Sequence, residues 1–136
     1  MLRKDRVMES FKHFGKSATF CWSKHNCVGF SLNIIKAVYG IDILDKYKII
    51  GTSQREYLRM LKTNEVFLSD LVNDNFSNKL ETTLLAKKGD LLIEGEGYMQ
   101  NMGICYGNGL GYFLKEEGLA PIKIEECTHA WRIGNE

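Results

Sequence analysis

Nine of the 13 glycines in this chain lie from Gly89 onward, and that imbalance divides it into two kinds of local structure. Ahead of Gly89 the apolar residues recur at helical spacing. Residues 3–14 set Val7, Met8, Phe11 and Phe14 on one face, with Gly15 as a stop. A stronger helix is predicted from Cys27 to Tyr39, with a stripe of Cys27, Phe30/Ser31, Ile34/Ile35 and Val38. Asn26 suits its N-cap and Gly40 its C-terminal stop. Ser53-Gln54-Arg55-Glu56 reads as a capping box opening a short helix through Leu61. A further helix over 64–72 turns Phe67, Leu68, Leu71 and Val72 inward.

Beyond Gly89 the pattern is that of strands. Lys88-Gly89-Asp90 is a turn that delivers Leu91 to Ile93, and Glu94-Gly95-Glu96-Gly97 turns again before a strand from Tyr98 to Tyr106. Asn108-Gly109 is a two-residue hairpin signal that brings back Leu110 to Leu114. Gly118 marks another turn. Pro121 to Ile124 and Ala130 to Ile133 finish the sheet, with Pro121 suited to a strand start or edge. Helices first and an antiparallel meander afterwards predict an α+β domain.

At 136 residues and 15.6 kDa the chain is expected to be a single domain, 1–136, able to bury a core without metal or disulfide staples. No apolar run nears the roughly 20 residues of a membrane span, and Met1 to Arg6 lack a signal peptide's apolar stretch. A soluble protein made in the cytoplasm is expected. Net charge is +1, but residues 1–62 carry 12 Lys/Arg against 5 Asp/Glu and residues 63–136 carry 6 against 12. The split reads first as two unrelated solvated faces; the alternative is a dipolar chain that holds itself together or stacks head to tail with copies or neighbours. The basic half has no Lys/Arg run and no interleaved aromatics, which argues against nucleic-acid binding. Four cysteines, at 21, 27, 105 and 127, include no Cys-x-x-Cys pair. A zinc site from Cys21, His25, Cys27, Cys127 and His129 fits no standard spacing, so reduced thiols, no metal and no cofactor are expected.

The chemistry, if any, centres on Trp22-Ser23-Lys24-His25-Asn26-Cys27-Val28-Gly29-Phe30. A cysteine in a helix's first turn sits among unpaired N–H groups that favour the thiolate, the nucleophilic form. Burial of the same thiol as a small hydrophobe is the plain structural alternative. The segment resembles the NlpC-type cysteine peptidases, a compact branch of the papain-like fold. Members carry Asp-Cys-Ser-Gly-Phe at the catalytic helix, then a Gly-Asp turn into a strand, then His-Val-Gly-Ile-Tyr-x-Gly. The counterparts here are Asn26 to Phe30, Gly89-Asp90-Leu91-Leu92, and Asn101-Met102-Gly103-Ile104-Cys105-Tyr106-Gly107. The similarity is nearest to small, mostly phage-encoded relatives with a Trp-x-x-x-Asp-Cys opening, a Gly-x-Asp after the helix and a terminal Cys-x-x-Ala-Trp-Arg. This chain has Trp22 through Cys27, Gly40-Ile41-Asp42 and Cys127 through Ile133. The resemblance implies an NlpC-like core over 20–133, behind a helical extension over 1–19.

The departures from that pattern bear on function. The resemblance makes Cys27 the nucleophile position and Asn101 the position of the histidine base. An amide has no useful proton affinity near neutral pH. The residue that orients the base is expected on the following strand, yet Gly111 to Leu114 offer no histidine and no carboxylate. Asn26 replaces the Asp that helps hold a substrate amino group. His129, His25 and His13 are the histidines available as substitutes, and each reads first as solvated or capping. Trp131 and Trp22 read as core anchors before substrate platforms, with Asn26 and Trp22 the binding candidates. The expectation is a degenerate domain serving as a structural or assembly component of a phage virion, in the tail or neck, with phage structural proteins or its own copies as partners. The alternatives are an active cysteine peptidase or amidase acting on cell-wall peptides, and a host-directed binder or inhibitor.

Overall fold

The computed structural model describes Arg6, Val7, Glu9, residues 27–41, Arg59, and residues 61–115 and 118–133, with residues 27–30 described by their helical backbone. The architecture is α+β, with helices from the first half packed on an antiparallel sheet built by the second. Helix α1 spans Cys27–Tyr39, the range the periodicity predicts. Ser31, Leu32, Ile34, Ile35 and Val38 are buried along it, so from Ser31 onward the inward face is the predicted stripe widened by Leu32. Each of its large aliphatic side chains contributes about 1.5–3 kcal/mol on leaving water. The helix stops at Gly40, whose φ of +73° is costly for any residue with a Cβ, and whose N–H reaches the Lys36 carbonyl at 2.9 Å.

Helix α2 spans Leu68–Asn75, several residues later than the predicted 64–72. Its start is fixed by two acceptors. The Asp70 carboxylate accepts from the Phe67 N–H at 2.9 Å, and the buried Gln100 side chain accepts from the Ser69 N–H at 2.9 Å. Donors that an isolated helix would leave to water are thereby satisfied, one of them from 31 residues away. Phe67 consequently sits outside the helix, 39% exposed and edge-on to Tyr98, where an inward position was expected. Of the helix expected through Leu61, residues 59 and 61–63 are helical and Leu61 is buried; its capping box lies outside the described residues. Of the predicted 3–14 helix, Arg6, Val7 and Glu9 are helical and Val7 is buried.

Five strands follow: β1 Leu91–Glu94, β2 Asn101–Gly107, β3 Leu110–Lys115, β4 Gly118–Lys123 and β5 His129–Trp131. The predicted strand from Tyr98 begins instead at Asn101. Gly97–Met99 form a 3₁₀ turn closed by Met99 N–H to the Glu96 carbonyl, and Gly95, at φ +88°, leaves no room for a Cβ beside the Met99 carbonyl. Asn108 and Gly109 both take positive φ and make the expected tight hairpin. The spatial order is β4-β3-β2-β1-β5, so the last strand does not extend the meander but returns to pair with β1. Its outer side is covered by residues 78–80, through Leu80 N–H to the Ala130 carbonyl and Arg132 N–H to the Asn78 carbonyl. At the opposite edge, β4 carries the exposed Pro121, which removes a donor that another strand would need.

The sheet has two apolar faces. Leu91, Ile93, Met102, Ile104, Leu114 and Trp131 join the helical residues in the main core. Leu92, Cys105, Phe113, Cys127 and Ala130 form a smaller cluster on the other side. Trp131 is fully buried as expected, and its indole N–H donates to the Asn73 side-chain oxygen at 2.8 Å.

Candidate functional site

Helix α1 packs on β2 and β3, and its direction is fixed at its far end. The Tyr39 hydroxyl donates to the Gly89 carbonyl at 3.2 Å, just ahead of β1. A 13-residue helix is about 20 Å long and a seven-residue strand about 23 Å. A helix anchored there is long enough to reach the end of the sheet where β1 finishes and β2 begins. Asn101 is the first residue of β2. The Cys27 thiol, and Trp22, His25, Asn26, Cys21 and His13, lie outside the described side chains.

Asn101 is partly buried and held. Its Nδ2 donates to Glu94 Oε1 at 2.6 Å and lies 3.4 Å from the Met99 carbonyl. The same Glu94 oxygen receives the Lys115 ammonium at 3.0 Å. Glu94 and Asn101 are register partners across β1 and β2, and Lys115 ends β3. Strand alternation turns all three onto the side of the smaller apolar cluster, with Leu92, Gly103 and Phe113. An ionised carboxylate accepts only, so the Asn101 amide must present nitrogen to Glu94 and turn its oxygen away.

On the following strand, in the stretch Gly111 to Leu114, Phe113 is fully buried, its ring so close over Gly103 that a Cβ there would lie 2.6 Å from it. A carboxylate, that of Glu94, reaches Asn101 from the preceding strand, a contact that reading β3 alone did not anticipate. The signal was present in the short strand Leu91–Glu94 and the Gly95–Gly97 turn, which return the chain to a register with Glu94 opposite Asn101.

His129 lies on β5 as the register partner of Ile93, with β1 between it and β2. Two strand spacings set it about 10 Å from the Asn101 strand. Its Nδ1 is 2.9 Å from the Thr128 hydroxyl, and its ring stacks on Trp131 at 5.8 Å. Burial, then Lys79, lower its proton affinity, with Asp70 partly opposing them. Cys127 and Cys105 are buried thiols in the smaller cluster. Burial first, then Glu94, pushes the Cys127 pKa up to about 12, and burial likewise raises Cys105. Both are neutral small hydrophobes in the physiological range rather than nucleophiles. Among the described residues no three His, Cys, Asp or Glu side chains gather around a metal position. The other members of the zinc set considered from sequence lie outside them.

Two motifs are architectural. The buried Asp90 carboxylate accepts from the Lys87 N–H at 2.8 Å and takes Nε and Nη2 of Arg132, each at 3.4 Å. Arg132 also donates to the Leu85 carbonyl at 2.8 Å. The Gly-Asp turn and the terminal Trp-Arg sequence are thus two halves of one contact, binding the entry of β1 to the exit of β5.

The overall arrangement has a counterpart among solved structures. The chain is similar to the NlpC/p60 domain of the peptidoglycan hydrolase SagA, with a TM-score of 0.61 at 17% identity, over 98% of this chain and 100% of that one. The fold is of the NlpC/p60 type. No curated protein matches the chain. A family model described as a domain of unknown function, DUF6950, matches residues 4–133, and the chain belongs to that family.

Proposed function

We propose that this domain is a catalytically degenerate NlpC-type fold that works as a structural or assembly component of a phage virion. The observation that carries the reading is the amide at 101. Asn101 stands where the NlpC resemblance requires a base, and its nitrogen is engaged by Glu94 at 2.6 Å. An amide neither accepts a proton near neutrality nor activates a thiol, so Cys27 is left as an ordinary cysteine at a helix start. The NlpC/p60-like fold relates the domain to cell-wall peptidases, and the loss of the base separates it from their chemistry. The resemblance to phage-encoded relatives supports a virion setting. The opposite charge of the two halves supports ordered contact with copies or neighbouring structural proteins.

Two measurements test this. The purified chain, incubated with cell-wall peptides, is expected to release no product above a Cys27→Ala control. Light scattering after size exclusion, alone and with the structural proteins encoded nearby, is expected to show a defined ring or stable complex. Hydrolysis that disappears in Cys27→Ala overturns the proposal and returns the peptidase reading.

A further inference from the structure

We infer that Glu94 is the positioning residue of this site, holding the side chain at 101 from the preceding strand where the NlpC resemblance calls for a partner on the following one. The inference rests on the reading of 101 as the base position. Three observations carry it. Glu94 and Asn101 are register partners, so their side chains leave adjacent strands on one face. The 2.6 Å contact is a charge-assisted hydrogen bond, short for an amide donor. The strand that should supply the partner instead packs the Phe113 ring over Gly103, leaving no room there for a polar group. Lys115 closes the network from β3, on the same oxygen at 3.0 Å, and fixes Glu94 in the rotamer that faces 101. Each of the three central strands gives one member, and the geometry that aims residue 101 survives although its base does not. Among the described residues the charged groups bonded into this network are Glu94 from β1 and Lys115 from β3; the neutral Cys127 thiol lies beside Glu94 from the segment before β5.

The test begins with the unaltered protein. The Asn101 side-chain NH₂ resonances, recorded by nuclear magnetic resonance at pH 7, should differ between the unaltered chain and Glu94→Gln, because the charge-assisted bond is lost. Resonances that are the same in the two proteins overturn the inference. In an Asn101→His background the introduced imidazole should bind its proton about tenfold more tightly with Glu94 present than with Glu94→Gln added. Adding Lys115→Met instead should tighten it further, since the competing cation is gone. Equal affinities with and without Glu94 also overturn the inference. Cell-wall peptide hydrolysis by the unaltered chain would defeat the proposed function and leave this result standing, because neither readout depends on turnover.

Discussion

Strand β1 carries a carboxylate network at each end, on the same face, and the two are built differently. At its entry, Asp90 is fully buried and tied to a backbone N–H and to Arg132. At its exit, Glu94 keeps 18% of its side chain exposed and is tied to an amide and to a lysine that is itself 32% exposed. A carboxylate sealed from water cannot lose its partner cheaply, because nothing replaces the lost hydrogen bonds. One at the rim can exchange its partner for solvent. The entry network joins segments more than 40 residues apart and serves the fold. The exit network holds residue 101, which the proposed reading takes as the base position, and its partly solvated members are the ones a sheet can exchange at low cost.

The largest expected effect lies beside the entry network. Trp131 is fully buried between the sheet and α2, with its N–H on Asn73. Trp131→Ala should cost about 3–5 kcal/mol, enough to unfold a marginal domain. Urea denaturation measures it, and a loss below about 1 kcal/mol would show that the Trp131 contacts are not what holds β5 to β1.

Arg132→Ala comes next. It takes the Arg132 cation away from the buried Asp90 carboxylate and leaves the backbone donor in place. Because the guanidinium is partly exposed, the loss should fall near the low end of the range for broken buried pairs, about 3 kcal/mol. Asp90→Asn added to Arg132→Ala should recover part of it, since the amide needs no counter-charge. A double variant no more stable than Arg132→Ala would refute the charge argument.

How much of this contrast was readable in the sequence depends on how local each feature is. Helix α1 was legible over its whole length, because a 3.6-residue stripe and Gly40 are properties of consecutive residues. The Asn108-Gly109 hairpin was legible for the same reason. The start of α2 was not, since half of its capping comes from Gln100. Nor was the placement of β5, whose partner β1 is about 38 residues earlier and is announced by no turn signal. Asn101 was found through a motif and Glu94 was missed, because register between two strands is fixed by the turn joining them rather than by composition. The Gly89-Asp90 and Trp131-Arg132 motifs were both noticed, and only the fold revealed that they touch.

Glu94→Gln should show the other side of the comparison. The pair with Lys115 is partly solvated, so the substitution is expected to cost about 0.5–1 kcal/mol, several times less than Arg132→Ala. Equal losses from the two, in parallel denaturation curves, would erase the distinction between a structural and a dispensable carboxylate.

The smallest effect concerns His129, on β5 opposite Ile93 and on the other face of the sheet from the two networks. Its proton affinity is lowered by burial and by Lys79 from an ordinary value of 6.5. The unfolded chain therefore takes up a proton near pH 6.5 that the folded chain takes up only at lower pH. Stability from this group is fully present above pH 6.5, declines as the pH falls through that value, and levels off below the folded value. The ring is only partly buried, so solvent screening keeps the change small. Lys79→Met should flatten the decline, because it removes the cation that disfavours the charged ring, while His129→Gln should abolish this contribution. Thermal midpoints between pH 7.5 and pH 5 compared across the three proteins measure it. An unchanged decline in Lys79→Met would mean that burial alone, and not Lys79, lowers the proton affinity of His129.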